Sequence, residues 1–266
     1  MKRRFIFKIL PVITAVMLLS GCASSADQHK KSTQAGSTPL AQNTSTEKNS
    51  GNVSENSDLL KGVSHFVNST IRIEGDKVIY FDPISIDGEP HDADIIFVTH
   101  THDDHYSIGD IQKIMKDGTI LVVTNDGVQT AQDAKIKNVM GVVPNKEYQA
   151  DGIKFKTVPA YNIDNPYHPK DSGWVGYIVN MNNKSYYIAG DTDIINEMKG
   201  IKADVAFLPV GGTYTMDASQ AAQAAKIIGP KVAVPIHFGY AAGSREDAEK
   251  FINLLDKSIS GVILQK

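Results

Sequence analysis

The sequence predicts an α/β fold in which two β-sheets pack face to face with helices on their outer sides. Three observations lead to this prediction: short β-rich apolar runs begin near residue 60, turn residues separate them, and helical segments are inserted late in the chain. Strands that come first and then mix with helices are typical of layered domains with a buried apolar core between the layers. We find no internal repeat.

The first 21 residues have the pattern of a secretory signal peptide. Met1-Lys2-Arg3-Arg4 is cationic, an apolar run extends from Phe5 to Leu19, and Ser20-Gly21-Cys22 follows. The run is short for a membrane span. The small residues before Cys22 resemble the lipobox of bacterial lipoproteins, in which the signal is removed before the cysteine and the cysteine receives the lipid. The alternative is an uncleaved anchor helix in which Cys22 is a small apolar residue.

Both interpretations predict an extracytoplasmic protein anchored in the cell membrane. Cys22 is the only cysteine, so the chain forms no intramolecular disulfide. Four of its 27 Lys and Arg residues precede Cys22, which leaves 23 against 30 Asp and Glu and a net charge of −7. An acidic chain disfavours a nucleic-acid partner. We therefore expect a small-molecule substrate, and the sequence leaves the oligomeric state open.

The chain divides into three parts. After the signal peptide of residues 1–21, residues 22–59 contain the lipidated cysteine and a tether rich in Ser, Thr, Asn, Gln and Lys, with few large apolar side chains. Such a composition buries too little surface to offset its ordering entropy, and predicts a disordered linker. Residues 60–266 form the predicted folded domain.

The elements of this domain follow from alternating apolar residues and turn signals. A hairpin is predicted from two strands, residues 70–74 and 77–81, which meet at Gly75-Asp76. Further strands are predicted over residues 94–99, 119–124, 153–158, 175–180, 185–189, 205–210 and 232–236, with Asn182-Asn183 as a hairpin turn. Helices are predicted from Asp217 to Gly229 and from Ser244 to Leu255, because each has an N-cap residue at its start.

The strongest chemical signal is the run His100-Thr101-His102-Asp103-Asp104-His105 at the end of a predicted strand. Five side chains of metal-ligand type, three histidines and two aspartates, fall within six residues. In a turn, neighbouring side chains can converge on two points a few ångströms apart, which suits a pair of metal ions. Imidazole and carboxylate ligands favour zinc, and bind manganese or iron with less affinity.

This run resembles the His-x-His-x-Asp-His signature of the metallo-β-lactamase superfamily. The other superfamily motifs follow in order: Asp82-Pro83 after a strand, His168, Asp191 in Ala189-Gly190-Asp191-Thr192, and His237 at a strand end. The resemblance spans roughly residues 65–240. It implies a four-layer αββα sandwich of two mixed β-sheets. The segments at residues 173–177 and 211–216 are similar to a branch of metal-dependent hydrolases related to the ascorbate-phosphate lactonase.

The resemblance also implies the ligands of two divalent ions, most simply Zn²⁺, with Mn²⁺ or Fe²⁺ as other choices. It assigns His100, His102 and His168 to the first ion, Asp104, His105 and His237 to the second, and Asp191 to the position between them. Asp82 would support the site without binding metal. Tyr214 and Tyr161 are candidate substrate-binding residues. Relatives carry His or Gln where this chain has Asn68, which leaves the role of that position open.

The predicted function is metal-dependent hydrolysis by a hydroxide bound between two metal ions. Asp104 and Asp191 are the candidate catalytic residues. The bond cleaved would belong to an ester, a lactone, an amide or a phosphodiester, since the fold hosts many chemistries. The alternative is a lipoprotein that uses the same scaffold to bind a ligand or hold metal without catalysis.

Overall fold

The structure, a computed structural model, describes residues 57–264. The predicted signal peptide, the lipidation site Cys22 and all but the last residues of the tether lie outside the described residues. Within them, no helix combines the length and the apolar character needed to cross a bilayer. The central core begins at Leu59, which is buried.

The first sheet contains six strands in the order of the chain. Its first three strands pair antiparallel and the remaining pairs are parallel, so the sheet is mixed. The strands are β1 (Val63–His65), β2 (Ile71–Glu74), β3 (Val78–Phe81), β4 (Ala93–Phe97), β5 (Met115–Thr124) and β6 (Val139–Val142).

The second sheet contains seven strands in the spatial order β13-β12-β11-β10-β9-β8-β7. Strands β7 to β10 form an antiparallel meander, and the pairs from β10 to β13 are parallel. The strands are β7 (Glu147–Ala150), β8 (Ile153–Pro159), β9 (Val175–Met181), β10 (Lys184–Ile188), β11 (Val205–Pro209), β12 (Val232–Ile236) and β13 (Ser260–Gly261).

Four α-helices cover the outer faces: α1 (Ile108–Ile114), α2 (Asn125–Asp133), α3 (Ala218–Ile228) and α4 (Arg245–Leu254). Side chains of α1 and α2 pack on the first sheet, and those of α3 and α4 pack on the second. Asp217 and Ser244 begin α3 and α4 as N-caps with capping boxes, as the sequence predicted. The predicted hairpin at Gly75-Asp76 and the turn at Asn182-Asn183 are also confirmed.

Successive side chains of each strand point to opposite faces of its sheet, so they belong to different layers of the sandwich. In β4, Ile95 and Phe97 point into the core between the sheets, whereas Ile96 packs under the helices of the first sheet. Phe97 contacts Phe155 and Tyr177 of the second sheet, each with ring centroids 4.9 Å apart. Such aromatic contacts add to the burial that holds the two sheets together. The predicted αββα arrangement of two mixed sheets is therefore confirmed.

Candidate metal centre

The site lies where several strands end at the same edge of the sandwich. The segment from His100 to His105 follows β4, Asp191 follows β10, and His237 follows β12. His168 lies in the long connection between β8 and β9. Because the carboxyl ends of parallel strands share an edge, residues distant in sequence meet there.

The structure brings together all seven side chains that the sequence analysis assigned as ligands. Three groups of potential ligand atoms each lie within 4.8 Å of one another: His100, His102 and His168; His100, His105 and Asp191; and Asp104, His105 and His237. The first and third groups are the two predicted ligand sets. Asp191 lies between these sets, because its carboxylate is 3.4 Å from His168 Nε2, 3.3 Å from His105 Nε2 and 3.0 Å from His237 Nε2.

The donor atoms of this cluster fit divalent cations. The Nε2 atoms of four histidines are buried and make no hydrogen bond of good geometry among the described residues, although Asp191 oxygens lie close to the last three: His100, His105, His168 and His237. Asp191 Oδ1 is also buried without one. A buried polar atom without a partner costs free energy, so an arrangement that collects five of them needs compensation. Coordination of a divalent ion such as Zn²⁺ provides it.

Hydrogen bonds on the far side of three imidazole rings direct their Nε2 atoms into the cluster. His105 Nδ1 lies 2.9 Å from Asp82 Oδ2. His168 Nδ1 lies 2.8 Å from Asn162 Oδ1, and His100 Nδ1 lies 3.0 Å from Thr99 Oγ1. An acceptor at Nδ1 favours the tautomer that carries its proton there and leaves the Nε2 lone pair for a metal.

Asp82 is the centre of the buried network behind His105. Its carboxylate accepts hydrogen bonds from the backbone N–H and the hydroxyl of Thr99, both at 2.8 Å. The sequence analysis proposed Asp82 as a supporting residue, and the structure places it behind the ring of His105. Thr99 and Asn162 were missed, because a threonine at a strand end and an asparagine in a loop give no pattern that separates them from ordinary polar residues.

Charges divide the cluster into two halves in the absence of metal. Burial holds the pKa of His100 and of His168 below the usual histidine value. Burial also lowers the pKa of His105 and His237, but the nearby carboxylates, Asp191 first and Asp104 with it, together outweigh burial and raise the pKa of both, that of His237 to about 9. Despite its burial, Asp191 has a pKa well below its usual range because of the charges of His237 and His105. A cation that binds beside Asp191 displaces these protons.

Trp174 packs against the histidines of the first set. Its ring centroid is 5.1 Å from that of His100, 4.7 Å from His102 and 5.6 Å from His168. The indole N–H donates to Asp126 Oδ2 at 2.9 Å, and Thr101 Oγ1 donates to the same oxygen at 2.7 Å. Trp174 lies in the segment of residues 173–177, whose pattern predicted no role for its side chain, and Asp126 was not among the predicted site residues.

The two candidate substrate-binding tyrosines have different surroundings. Tyr214 is half-buried and packs edge to face on Tyr167, with centroids 4.7 Å apart, in the loop of His168. The hydroxyl of Tyr161 instead donates to Glu197 at 3.1 Å, and the ammonium of Lys170 lies 4.5 Å from its ring centre. Substrate binding by either tyrosine stays a prediction.

The αββα sandwich and the histidine and aspartate cluster at its edge together define a metallo-β-lactamase fold with a candidate metal centre. The profile of the family described as "Beta-lactamase superfamily domain" matches residues 63–237. The chain belongs to this family.

Named relatives agree with this assignment. The chain is 32% identical over 208 residues to a UPF0173 metal-dependent hydrolase of Pyrococcus abyssi, an alignment that covers 73% of this chain and 91% of the relative. It is 30% identical over 215 residues to a UPF0173 metal-dependent hydrolase of Listeria welshimeri, with the same coverage.

Solved structures resemble the chain as well. A metal-dependent hydrolase from Parabacteroides distasonis has a TM-score of 0.64 and 31% identity, and the match covers 76% of this chain and 91% of that one. The metallo hydrolase Igni18 from Ignicoccus hospitalis has a TM-score of 0.63 and 26% identity, with coverage of 76% and 94%. The protein is therefore a metal-dependent hydrolase of the metallo-β-lactamase superfamily.

Proposed function

We propose that the cluster holds two divalent metal ions and that the protein uses them to hydrolyse an ester, lactone, amide or phosphodiester bond of a small substrate. The observation that carries this proposal is the pair of ligand sets with Asp191 between them. Four buried Nε2 atoms of these sets make no hydrogen bond among the described residues. One set supplies three imidazoles and the other two imidazoles and a carboxylate. Nitrogen and oxygen donors of this kind favour Zn²⁺.

In this proposal each residue has a defined task. His100, His102 and His168 hold the first ion, Asp104, His105 and His237 hold the second, and Asp191 contacts both. When bound, such a pair supplies Lewis acidity and lowers the pKa of a shared water toward neutrality, so that hydroxide is available to attack the substrate. Asp104 is only partly buried, with 25% of its side chain exposed. It can therefore accept a hydrogen bond from the attacking water and orient it.

The proposed location is the outer side of the cell membrane, to which a lipid on Cys22 would attach the chain. Its support is the sequence pattern of residues 1–22. Each buried CH₂ of such a lipid contributes about 0.8 kcal/mol, so stable attachment takes two or more acyl chains. The polar tether would then connect the lipid to the hydrolase domain.

The test of catalysis is an Asp104→Asn variant of the zinc-loaded or manganese-loaded protein. The wild type and the variant, each in both metal forms, are assayed on an ester, a lactone, an amide and a phosphodiester. Asn keeps the shape of the side chain and removes its charge, so we expect kcat to fall by about 100-fold or more, the scale of one major electrostatic contributor. The far-UV CD spectrum and thermal midpoint should change little.

Asp117→Asn is the matched control, since Asp117 is an exposed carboxylate near the opposite end of β5. It should keep the full rate. Full activity in Asp104→Asn with its metal content intact would refute the mechanism. If neither metal form hydrolyses any of the four classes, while a ligand binds equally to both proteins, the non-catalytic alternative is the better description.

The metal count tests the other half of the proposal. Purified protein should contain close to two ions per chain, and Asp191→Ala should lower this number and suppress hydrolysis, because the carboxylate between the sets is lost. Elemental analysis measures the count. One tightly held ion in the wild type, unchanged in Asp191→Ala, would instead indicate a mononuclear site.

A further inference from the structure

The candidate metal centre is exposed to solvent at only two of its seven side chains. Five of its seven side chains are at most 3% exposed: His100, His105, His168, Asp191 and His237. The other two, His102 and Asp104, are half-buried. If the proposed function is correct, the substrate reaches the metal ions past His102 and Asp104.

Trp174 lies beside the half-buried His102 at this opening. It is half-buried, and its ring lies closer to the ring of the accessible His102 (4.7 Å between centroids) than to those of the buried His100 and His168. Its single polar atom already donates to Asp126. The indole therefore has only an apolar surface left to offer to a substrate, and burial of apolar substrate area against it is favourable.

Acidic side chains lie next to the two half-buried ligands in sequence and beside Trp174. Asp103 and Asp126 are exposed, and Asp104 is half-buried. Although burial opposes it, hydrogen bonds from Thr124 and Trp174 help to hold the pKa of Asp126 below its usual range, so this carboxylate is ionised at neutral pH.

Basic side chains do not offset this charge. The segments that carry His102, Asp126 and Trp174 contain no Lys or Arg: residues 98–112, 124–134 and 172–176. Lys170, in the loop of His168, is paired with Glu197 at 3.3 Å. The two divalent ions offset much of this negative charge. An anionic group on a substrate would nevertheless find carboxylates at the opening and no basic side chain of these segments to pair with.

We propose that the substrate is an uncharged carboxylic ester or lactone whose apolar group packs on Trp174, and that the opening discriminates against anionic substrates, phosphate esters included. This inference rests on the proposed hydrolase function and specifies its substrate class. In the reaction, the oxygen of water forms a bond to the acyl carbon, the ester C–O bond breaks, and the products are a carboxylic acid and an alcohol.

The charge arm of the test compares two rigid esters with the same leaving group on the zinc-loaded full chain. One is the para-nitrophenyl ester of para-toluic acid, which is uncharged, and the other is the para-nitrophenyl monoester of terephthalic acid, which is anionic. Bis(para-nitrophenyl) phosphate is the third substrate. Relative to the rates without protein, kcat/KM should be at least about tenfold higher for the toluate ester than for either anion at low salt.

The preference in kcat/KM for the uncharged ester should become smaller when the carboxylates are screened or removed. High salt screens exposed charges. In Asp103→Asn, the ratio of kcat/KM for the toluate ester to kcat/KM for the terephthalate monoester should fall by about threefold. Asp117→Asn, remote from the opening, is the matched control and should leave the ratio unchanged.

The apolar arm concerns Trp174. Trp174→Ala should raise KM for the toluate ester by about tenfold per metal-loaded chain, while kcat changes less, because the lost surface binds the substrate and does not react. Trp174→Phe, which keeps an aromatic ring, should recover most of the wild-type KM. Ile227→Ala removes a remote exposed apolar side chain of α3 and should have no effect.

The outcomes separate this inference from the proposed function. Hydrolysis of the terephthalate monoester or the phosphodiester at least as efficiently as the toluate ester would overturn the substrate class and leave the hydrolase proposal standing. An unchanged KM in Trp174→Ala would show that Trp174 is not a substrate-binding surface. Failure to hydrolyse any of the three, with both ions bound, would count against the proposed function itself and against the inference with it.

Discussion

A single asparagine connects two of the candidate ligands. The side-chain amide of Asn68 donates to the backbone oxygen and to Oδ2 of Asp104, both at 3.1 Å. Its backbone oxygen accepts from the backbone N–H of His237 at 2.7 Å and lies 2.8 Å from His65 Nε2. Asn68 is fully buried and has a φ of 52°, a left-handed conformation that Asn tolerates better than most residues. It is therefore placed to orient the carboxylate of Asp104.

Asn68→Asp tests this role with an isosteric change. The new carboxylate would replace a donor by an acceptor and face the carboxylate of Asp104, so the second ion should bind about 10- to 100-fold more weakly, as when an outer-shell partner of a ligand is lost. Competition with a chelator measures the affinities of the two ions separately. Asn183→Asp changes an exposed asparagine that also has a positive φ, and should leave both affinities unchanged. Equal affinities in wild type and Asn68→Asp would contradict the role.

At the scale of elements, the sequence predicted the long strands and the capped helices because both carry a pattern. Strands β2, β3, β4 and β8 to β12 alternate apolar and polar residues or form buried apolar runs, and α3 and α4 have N-caps. It missed β1, β6, β7 and β13, which have two to four residues, too few to show a period by themselves. β2 and β3 are equally short, but they were predicted together as two runs that meet at Gly75-Asp76. It also missed α1 and α2, of seven and nine residues, which contain too few buried positions for a clear helical repeat.

The candidate site likewise combines a motif that is contiguous in sequence with contacts between residues far apart in sequence. The run from His100 to His105 is contiguous, and could be recognised without knowing the fold. The contacts that orient it are long-range: Asn68 reaches Asp104 across 36 positions, and Trp174 reaches Asp126 across 48. Polar loop residues are common, and only the folded chain distinguishes the few that meet at the metal centre.

Gly190 joins strand β10 to Asp191 in a left-handed conformation and leaves little room for a side chain. Its φ is +66°, and a Cβ there would lie 3.1 Å from Thr99 Cβ and 3.2 Å from the backbone oxygen of Val175. Gly190→Ala should therefore lower the free energy of unfolding by about 1–3 kcal/mol through backbone strain, and weaken metal binding because Asp191 is displaced.

Denaturant unfolding and chelator competition measure the two effects of Gly190→Ala. Gly200→Ala is the matched control, since a Cβ at Gly200 meets no atom within 4 Å and its φ is not in the left-handed region. That variant should unfold like the wild type. A Gly190→Ala protein with wild-type stability and metal affinity would show that this turn adapts without moving Asp191.

At the scale of the whole molecule, the sequence combines a hydrolase domain with a separate N-terminal segment of different composition. The matched family region, residues 63–237, lies entirely within the part of the chain that the structure describes. Among the described residues, the apolar core of this domain includes both inner sheet faces and begins at Leu59. Changes at Cys22 should consequently alter where the protein resides, without changing the chemistry of the metal centre.

Cys22→Ala tests the proposed attachment. A lipid would have no acceptor in this variant, so the protein should leave the membrane fraction or accumulate as an unprocessed precursor of larger mass. Fractionation, mass spectrometry and labelling with a radioactive fatty acid measure the location of the protein, its mass and whether it carries a lipid. Ser37→Ala, a change in the predicted tether, is the control and should fractionate like the wild type. Because the domain is separate in sequence from Cys22, purified Cys22→Ala should still bind the same number of metal ions. Membrane association, mass and label that match the wild type would refute lipidation at this residue.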